Sequence, residues 1–160
     1  MSDNYAVING KRIELTDEQV KALGVKTKTN PFERVDDGGS YYFINGYGDI
    51  KEDSRDDDIL FDNVNYFNDE SFAEQVALHQ LLYRKLLKFV YDNGCEDNQA
   101  WNKTNCHYYI DYNTDDGQFY ADVTGTFKHN DVWFGSRDSA NRAIEEVIKP
   151  FTKEHPDFVW

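Results

Sequence analysis

Cysteine, methionine and basic side chains are scarce in this 160-residue chain, and each shortage removes a class of explanation. Two cysteines cannot build a disulfide scaffold. Cys95 and Cys106 are spaced to close a loop of about a dozen residues, but without a secretion signal they are expected as free thiols. Zinc needs about four ligands and only His107 lies beside them, so no metal is expected. No N-terminal apolar stretch resembles a signal peptide, and no run of about 18 apolar residues occurs. The expectation is a soluble, intracellular protein with no membrane association. Lys and Arg number 17 against 30 Asp and Glu, a formal charge of -13. Displacing phosphate counterions needs the opposite sign, which argues against direct nucleic-acid binding and for a basic partner.

Catalytic signatures are missing as well. No Walker or Rossmann glycine pattern is present, and Gly46-Tyr-Gly48 lacks a third glycine. No nucleophile elbow, zinc-protease helix or Cys-x-x-Cys pair occurs. Asp111, Asn113 and Asp115 have the opening spacing of a calcium loop, but its sixth place is Asp116 instead of Gly, and an acidic hairpin turn accounts for the same residues. A non-enzymatic protein without cofactor is the expectation.

What is abundant is aromatic, at 16% of the chain, enough for a real core. Asn9-Gly10 between two apolar runs predicts a β-hairpin over residues 5–15. Thr16 and Gln19 form a capping-box pattern opening a short helix, with Val20 and Leu23 inward and Gly24 as its stop. A polar linker or extended arm follows, up to residue 35. Beyond it one plan occurs twice. Tyr42 and Ile44 match Tyr108 and Ile110 at an offset of 66, and Tyr66, Phe67 and Ala73 match Trp133, Phe134 and Ala140 at 67. The predicted fold is therefore α+β: an N-terminal hairpin and helix (1–35), then a main domain (36–160) of two strand-strand-helix units, 36–94 and 107–160, with antiparallel sheet packed on helices.

In the first unit a long helix runs to Gly94, with Phe72, Val76, His79, Tyr83, Leu86 and Val90 on one stripe. His79 reads as a hydrogen-bonded core or interface histidine. The helix is apolar beyond that stripe, so it is either central or a homodimer contact through Leu78, Leu81, Leu82, Leu86 and Phe89. In the second unit Gln118 to Phe127 alternates, placing Phe119, Ala121, Val123 and Phe127 inward. Ser136 caps the closing helix, which Pro150 should end or kink.

Negative charge follows this plan. Residues 36–62 carry a net -7 and residues 107–131 a net -4, together -11 of the -13. Asp49, Glu52, Asp53, Asp56, Asp57, Asp58, Asp115 and Asp116 are the candidate partner contacts. Reversing Asp56 to Asp58 is expected to weaken binding and leave stability unchanged.

The segments Ile8 to Thr16, Asn30 to Arg34 ahead of Tyr41 to Ile44, Asn65 to Glu70, Ala143 to Phe151 and His155 to Phe158 resemble small acidic proteins of phages and prophages of Gram-positive bacteria, over nearly the whole chain. The resemblance implies the host bacterial cytoplasm as the setting. Small acidic phage proteins include inhibitors of host defences, some of them DNA mimics, so the implied partner is a basic, nucleic-acid-binding defence effector of the CRISPR type. The alternatives are a structural or regulatory phage protein that dimerises through the long helix, and a ligand-binding protein or enzyme with an aromatic pocket.

Overall fold

The computed structural model describes residues 5–8, 11–23, 30–36, 38–55, 57–129 and 131–160. Their order is β1 (Tyr5–Ile8), β2 (Lys11–Glu14), α1 (Asp17–Ala22), β3 (Tyr41–Ile44), β4 (Ile50–Asp53), α2 (Asp58–Asp62), α3 (Glu70–Asp92), β5 (His107–Asn113), β6 (Gln118–Thr124), α4 (Arg137–Ala143), a π-helical turn (Ile144–Ile148) and α5 (Lys149–Glu154). The fold is α+β, with three two-stranded antiparallel sheets, β1-β2, β3-β4 and β5-β6. By contacts the chain forms two compact units, Met1–Phe43 with Glu52–Asp69, and Ile44–Lys51 with Glu70–Trp160. The segment expected as a linker belongs to the first unit. Asn68 Nδ2 donates to the carbonyls of Asn30 and Glu33, and the Val35 amide donates to the Tyr66 phenol oxygen.

In the first unit β1 and β2 pair from Tyr5↔Glu14 to Ile8↔Lys11, the register of a two-residue connection. The Asn9-Gly10 turn itself and the Gly24 stop lie outside the described residues. The capping box at α1 is reciprocal, with Thr16 N–H donating to Gln19 Oε1 and Gln19 N–H to Thr16 Oγ1. Val20 is buried, but Leu23 is 62% exposed, against expectation, because α1 ends at Ala22 and Leu23 leaves the inward face. The aromatic centre is Tyr41 stacked on Tyr66 at 4.1 Å, with Phe61 edge-on to Tyr66 and Phe32 against Phe67.

Helix α2 is not among the expected elements; Asp57 caps it by accepting the Leu60 amide. Its far end closes with Val64 N–H to Phe61 O and Asn65 N–H to Leu60 O, the bonds of a Schellman motif. Val64 therefore takes φ 57, a left-handed conformation that a β-branched residue adopts only under strain. Its side chain is 62% exposed, so little packing is at stake. Replacing Val64 with Gly should raise the melting temperature through a gain of about 1 kcal/mol. A lower melting temperature in thermal denaturation would contradict this.

The second unit is built on α3. Gly94, at φ 58, ends it in another Schellman motif, with Gly94 N–H to Tyr91 O and Cys95 N–H to Val90 O. Leu82, Leu86, Phe89 and Val90 join Ile110, Ala121, Phe134, Ile144 and Ile148 in one core cluster, each large side chain contributing about 1.5–3 kcal/mol. Helix α4 lies on β5 and β6 and contacts α3. Its Ser136 cap accepts the Ser139 amide as expected. Pro150 does not end the helix. The preceding π turn, in which Lys149 N–H reaches back to Ile144 O, alters the carbonyl spacing ahead of the ring and α5 continues to Glu154. Phe127 is 74% exposed instead of inward, since β6 stops at Thr124, whose hydroxyl accepts the Thr126 and Phe127 amides. His79 is exposed too, with its ring 4.7 Å from that of Phe158.

The duplication seen in the sequence is present in the backbone. Tyr42 forms an isolated antiparallel bridge with Phe67, and the matching Tyr108 forms one with Phe134. Both phenylalanines are buried, and Ala73 and Ala140, at equivalent first turns of α3 and α4, are each fully buried. Each copy is thus a hairpin, a third one-residue strand and a helix.

Candidate functional site

Folding treats the eight acidic candidates differently. Asp53 grips Arg55 through its Nε and Nη2 and also accepts the Ser54 and Arg55 amides. The hydrogen bond to Arg55 holds its carboxyl well below the usual carboxylate range. Asp57 is the α2 cap, and Asp58 pairs with Arg34, whose guanidinium lies over the Phe61 ring. In the second unit, Asp49 accepts from Asn45 Nδ2 at 3.2 Å with Lys51 3.9 Å away, and Asp116 accepts the Gln118 amide inside the β5-β6 turn. The carboxylates of Glu52 and Asp115 are exposed and meet no partner among the described residues. Asp56 lies outside the described residues. Stability is therefore not indifferent to reversing Asp57 and Asp58: one reversal removes a cap worth about 1 kcal/mol, the other an ion pair.

A second group of carboxylates, outside those candidates, lines one face of β5-β6. The register sets Tyr109 opposite Asp122 and Asp111 opposite Tyr120. Tyr109 Oη donates to Asp122 at 3.0 Å and Tyr120 Oη to Asp111 at 3.2 Å. The other oxygen of each aspartate accepts the next amide of its own strand, Val123 for Asp122 and Tyr112 for Asp111. Tyr108 gives its carbonyl to Phe134, so the Tyr108↔Val123 pair turns its polar groups away from the hairpin and Asp122 covers one of them. These aspartates satisfy strand-edge donors that would otherwise be open to another strand. Asp131, in the loop before Phe134, has its pKa raised, chiefly by burial.

Burial first, and then the bond to Asp122, push the Tyr109 phenol from 10.0 up to about 12. The folded state thus holds this proton more tightly than the unfolded chain. The resulting stability is full below about pH 10 and is lost as pH rises toward about 12. Thermal melts across that alkaline window should show the decline, and Asp122→Asn should make it shallower. Phenolate absorbance that titrates fully near pH 10 in the folded protein would contradict the assignment.

Trp101, in the loop after α3, covers a buried pair. His107 Nδ1–H donates to Asp97 Oδ2 at 2.5 Å, with the two side chains 0% and 2% exposed. Trp101 stacks on the imidazole at 3.7 Å and 6°, and Trp133 stands edge-on to both rings. His107 Nε2 has no hydrogen-bond partner among the described residues. A dyad sealed in this way has no access to a substrate and reads as structural. Cys95 and Cys106 are free thiols. The calcium-like residues are engaged in the hairpin, where Asn113 accepts the Asp115 and Gly117 amides and Asp111 is taken as above. Among the described residues no group of three or more His, Cys, Asp or Glu could hold a metal ion.

The five α3 residues considered for a dimer contact are used within the chain. Leu82, Leu86 and Phe89 are buried, and Leu78 and Leu81 pack against the same cluster. Among the described residues no helix is long and apolar enough to cross a membrane. No family model, curated protein or solved structure matches the chain.

Proposed function

We propose that the chain is a non-enzymatic, phage-encoded inhibitor that works in the bacterial cytoplasm by presenting acidic surface to the basic nucleic-acid channel of a defence nuclease of the CRISPR-effector type. The observation that carries this reading is the confinement of a net -11, of -13 in all, to residues 36–62 and 107–131. Charge serving solubility alone would be spread more evenly over the chain. Glu52 and Asp115 support it most directly, since exposed carboxylates with no partner among the described residues remain available to Lys and Arg of another protein.

Immobilised protein should retain a basic, nucleic-acid-binding protein from a lysate of Gram-positive bacteria, and about 0.5 M salt should release it. Glu52→Lys with Asp115→Lys should weaken retention by at least about tenfold with an unchanged melting temperature. Retention indifferent to both salt and the double reversal would sink the acidic-surface reading. A homodimer through α3 would draw first on Tyr83 and Tyr91, 41% and 68% exposed, because Leu82, Leu86 and Phe89 are buried and Leu78 and Leu81 only partly exposed.

A further inference from the structure

The β1-β2 hairpin of the first unit is paired but hardly covered. Its strands pack substantially only against each other, all four residues of β2 are exposed, and Tyr5, Val7 and Ile13 remain 52%, 63% and 45% exposed. A two-stranded hairpin is marginal in water until a further strand or a helix completes it. The register shows which groups are open. Ile8↔Lys11 closes a two-residue connection, so Lys11 and Ile13 direct N–H and C=O to β1, whereas Arg12 and Glu14 direct theirs away. No proline, glycine or bulge blunts that edge. Alternation puts Arg12 and Glu14 on one face, where the Arg12 guanidinium lies 4.1 Å from the Tyr5 ring centre, and Ile13 on the other. The Glu14 carboxylate meets no partner among the described residues.

Arg12-Ile13-Glu14 is complementary to itself in the antiparallel sense. With Ile13 opposite Ile13 on a two-fold axis, each Arg12 faces the Glu14 of the other copy. This register makes Arg12 and Glu14 the hydrogen-bonded pairs, as their outward amides and carbonyls require, and leaves Ile13 as the close, non-bonded pair. Centring the axis on Arg12 would instead set two guanidiniums against each other. Residues 1–35 hold six Lys and Arg against five Asp and Glu, so two copies of an acidic chain can meet here without the repulsion of the acidic segments. We propose that the chain self-associates through β2, completing a four-stranded sheet across two copies, with Arg12 and Glu14 as its reciprocal ion pairs. A single short strand pair makes this a weak, concentration-dependent dimer. The inference goes beyond the acidic-surface reading and uses none of its residues.

Sedimentation equilibrium up to about 1 mM, where so weak an association is populated, tests it. The average mass should rise with concentration toward that of two chains. Arg12→Glu or Glu14→Arg alone should weaken association at least about tenfold. An equimolar mixture of these two variants should associate again, because each supplies the charges that the other lacks. Net charge alone has the opposite consequence for Glu14→Arg, which makes the chain less negative and would then strengthen association. Amide exchange of the unaltered chain gives a second readout. The Arg12 and Glu14 amides should slow as concentration rises, while those of Lys11 and Ile13, already bonded to β1, should not depend on it. A mass that stays at one chain, single reversals without effect, a mixture no more associated than either variant, or Arg12 and Glu14 amides indifferent to concentration would each overturn the β2 interface.

Discussion

Replacing Asp97 with alanine should destabilise the fold by about 3 kcal/mol, because it strips a buried imidazole of its charged acceptor. Asp97 receives the Gln99 amide on one oxygen and His107 Nδ1–H on the other, and only 2% of its side chain is exposed. Trp101 lies flat over the imidazole, and Lys128 Nζ sits 5.2 Å from the Trp101 ring centre. Losing the pair should therefore also loosen the lid, which makes tryptophan fluorescence a suitable readout in urea denaturation. For a domain whose stability is about 5–15 kcal/mol, this is a large fraction. The double replacement Asp97→Leu with His107→Phe should recover most of the loss, since an apolar pair of similar volume avoids the desolvation cost and can still stack under Trp101. If Asp97→Ala costs less than about 1 kcal/mol, the pair behaves like a surface ion pair and its structural role is refuted.

Phe134→Ala should be comparably severe, at about 3–5 kcal/mol. The ring is fully buried at the centre of the second unit's cluster, and the backbone bridges both Glu96 and Tyr108. Alanine keeps those bridges and removes only the ring, so the measured loss isolates packing and cavity. The next residue admits no compensating shift: a Cβ on Gly135 would lie 2.9 Å from the Glu96 carbonyl oxygen. Phe67→Ala, at the equivalent place in the first copy, should cost a similar amount in its own unit, since Phe67 is only 2% exposed. Urea midpoints of the two variants measure this. A loss under about 1.5 kcal/mol at Phe134 would mean that the repeat's third strand is peripheral to the core.

Much of this framework is legible in the amino-acid sequence. The Thr16-Gln19 box, Gly94 as helix stop and the Ser136 cap are chemistry over a few residues, so local sequence determines them. The offset linking Tyr42 with Tyr108 and Phe67 with Phe134 reappears as matching bridges because both copies solve the same packing problem. Helix α2 leaves no clear sequence signal because its five residues are too few for periodicity to register. Leu23 and Phe127 turn outward because the apolar pattern runs on past the last residue of its helix or strand. The Tyr-Asp face has a readable signal, Tyr109-x-Asp111 and Tyr120-x-Asp122 on either side of a turn, but only the register shows which phenol meets which carboxylate.

The acidic segments show most clearly where sequence ends and tertiary structure begins. Sequence alone determined how much charge there is and where along the chain it falls, because charge adds residue by residue. Folding decided which carboxylates are free. Asp58 meets Arg34 from 24 residues away, Asp122 takes the Tyr109 phenol across the hairpin, and Asp97 disappears beneath Trp101, while Glu52 and Asp115 stay in solvent. An ionic or hydrogen-bonded partner is set by proximity in space, and proximity between distant residues exists only once the hydrophobic cores have formed.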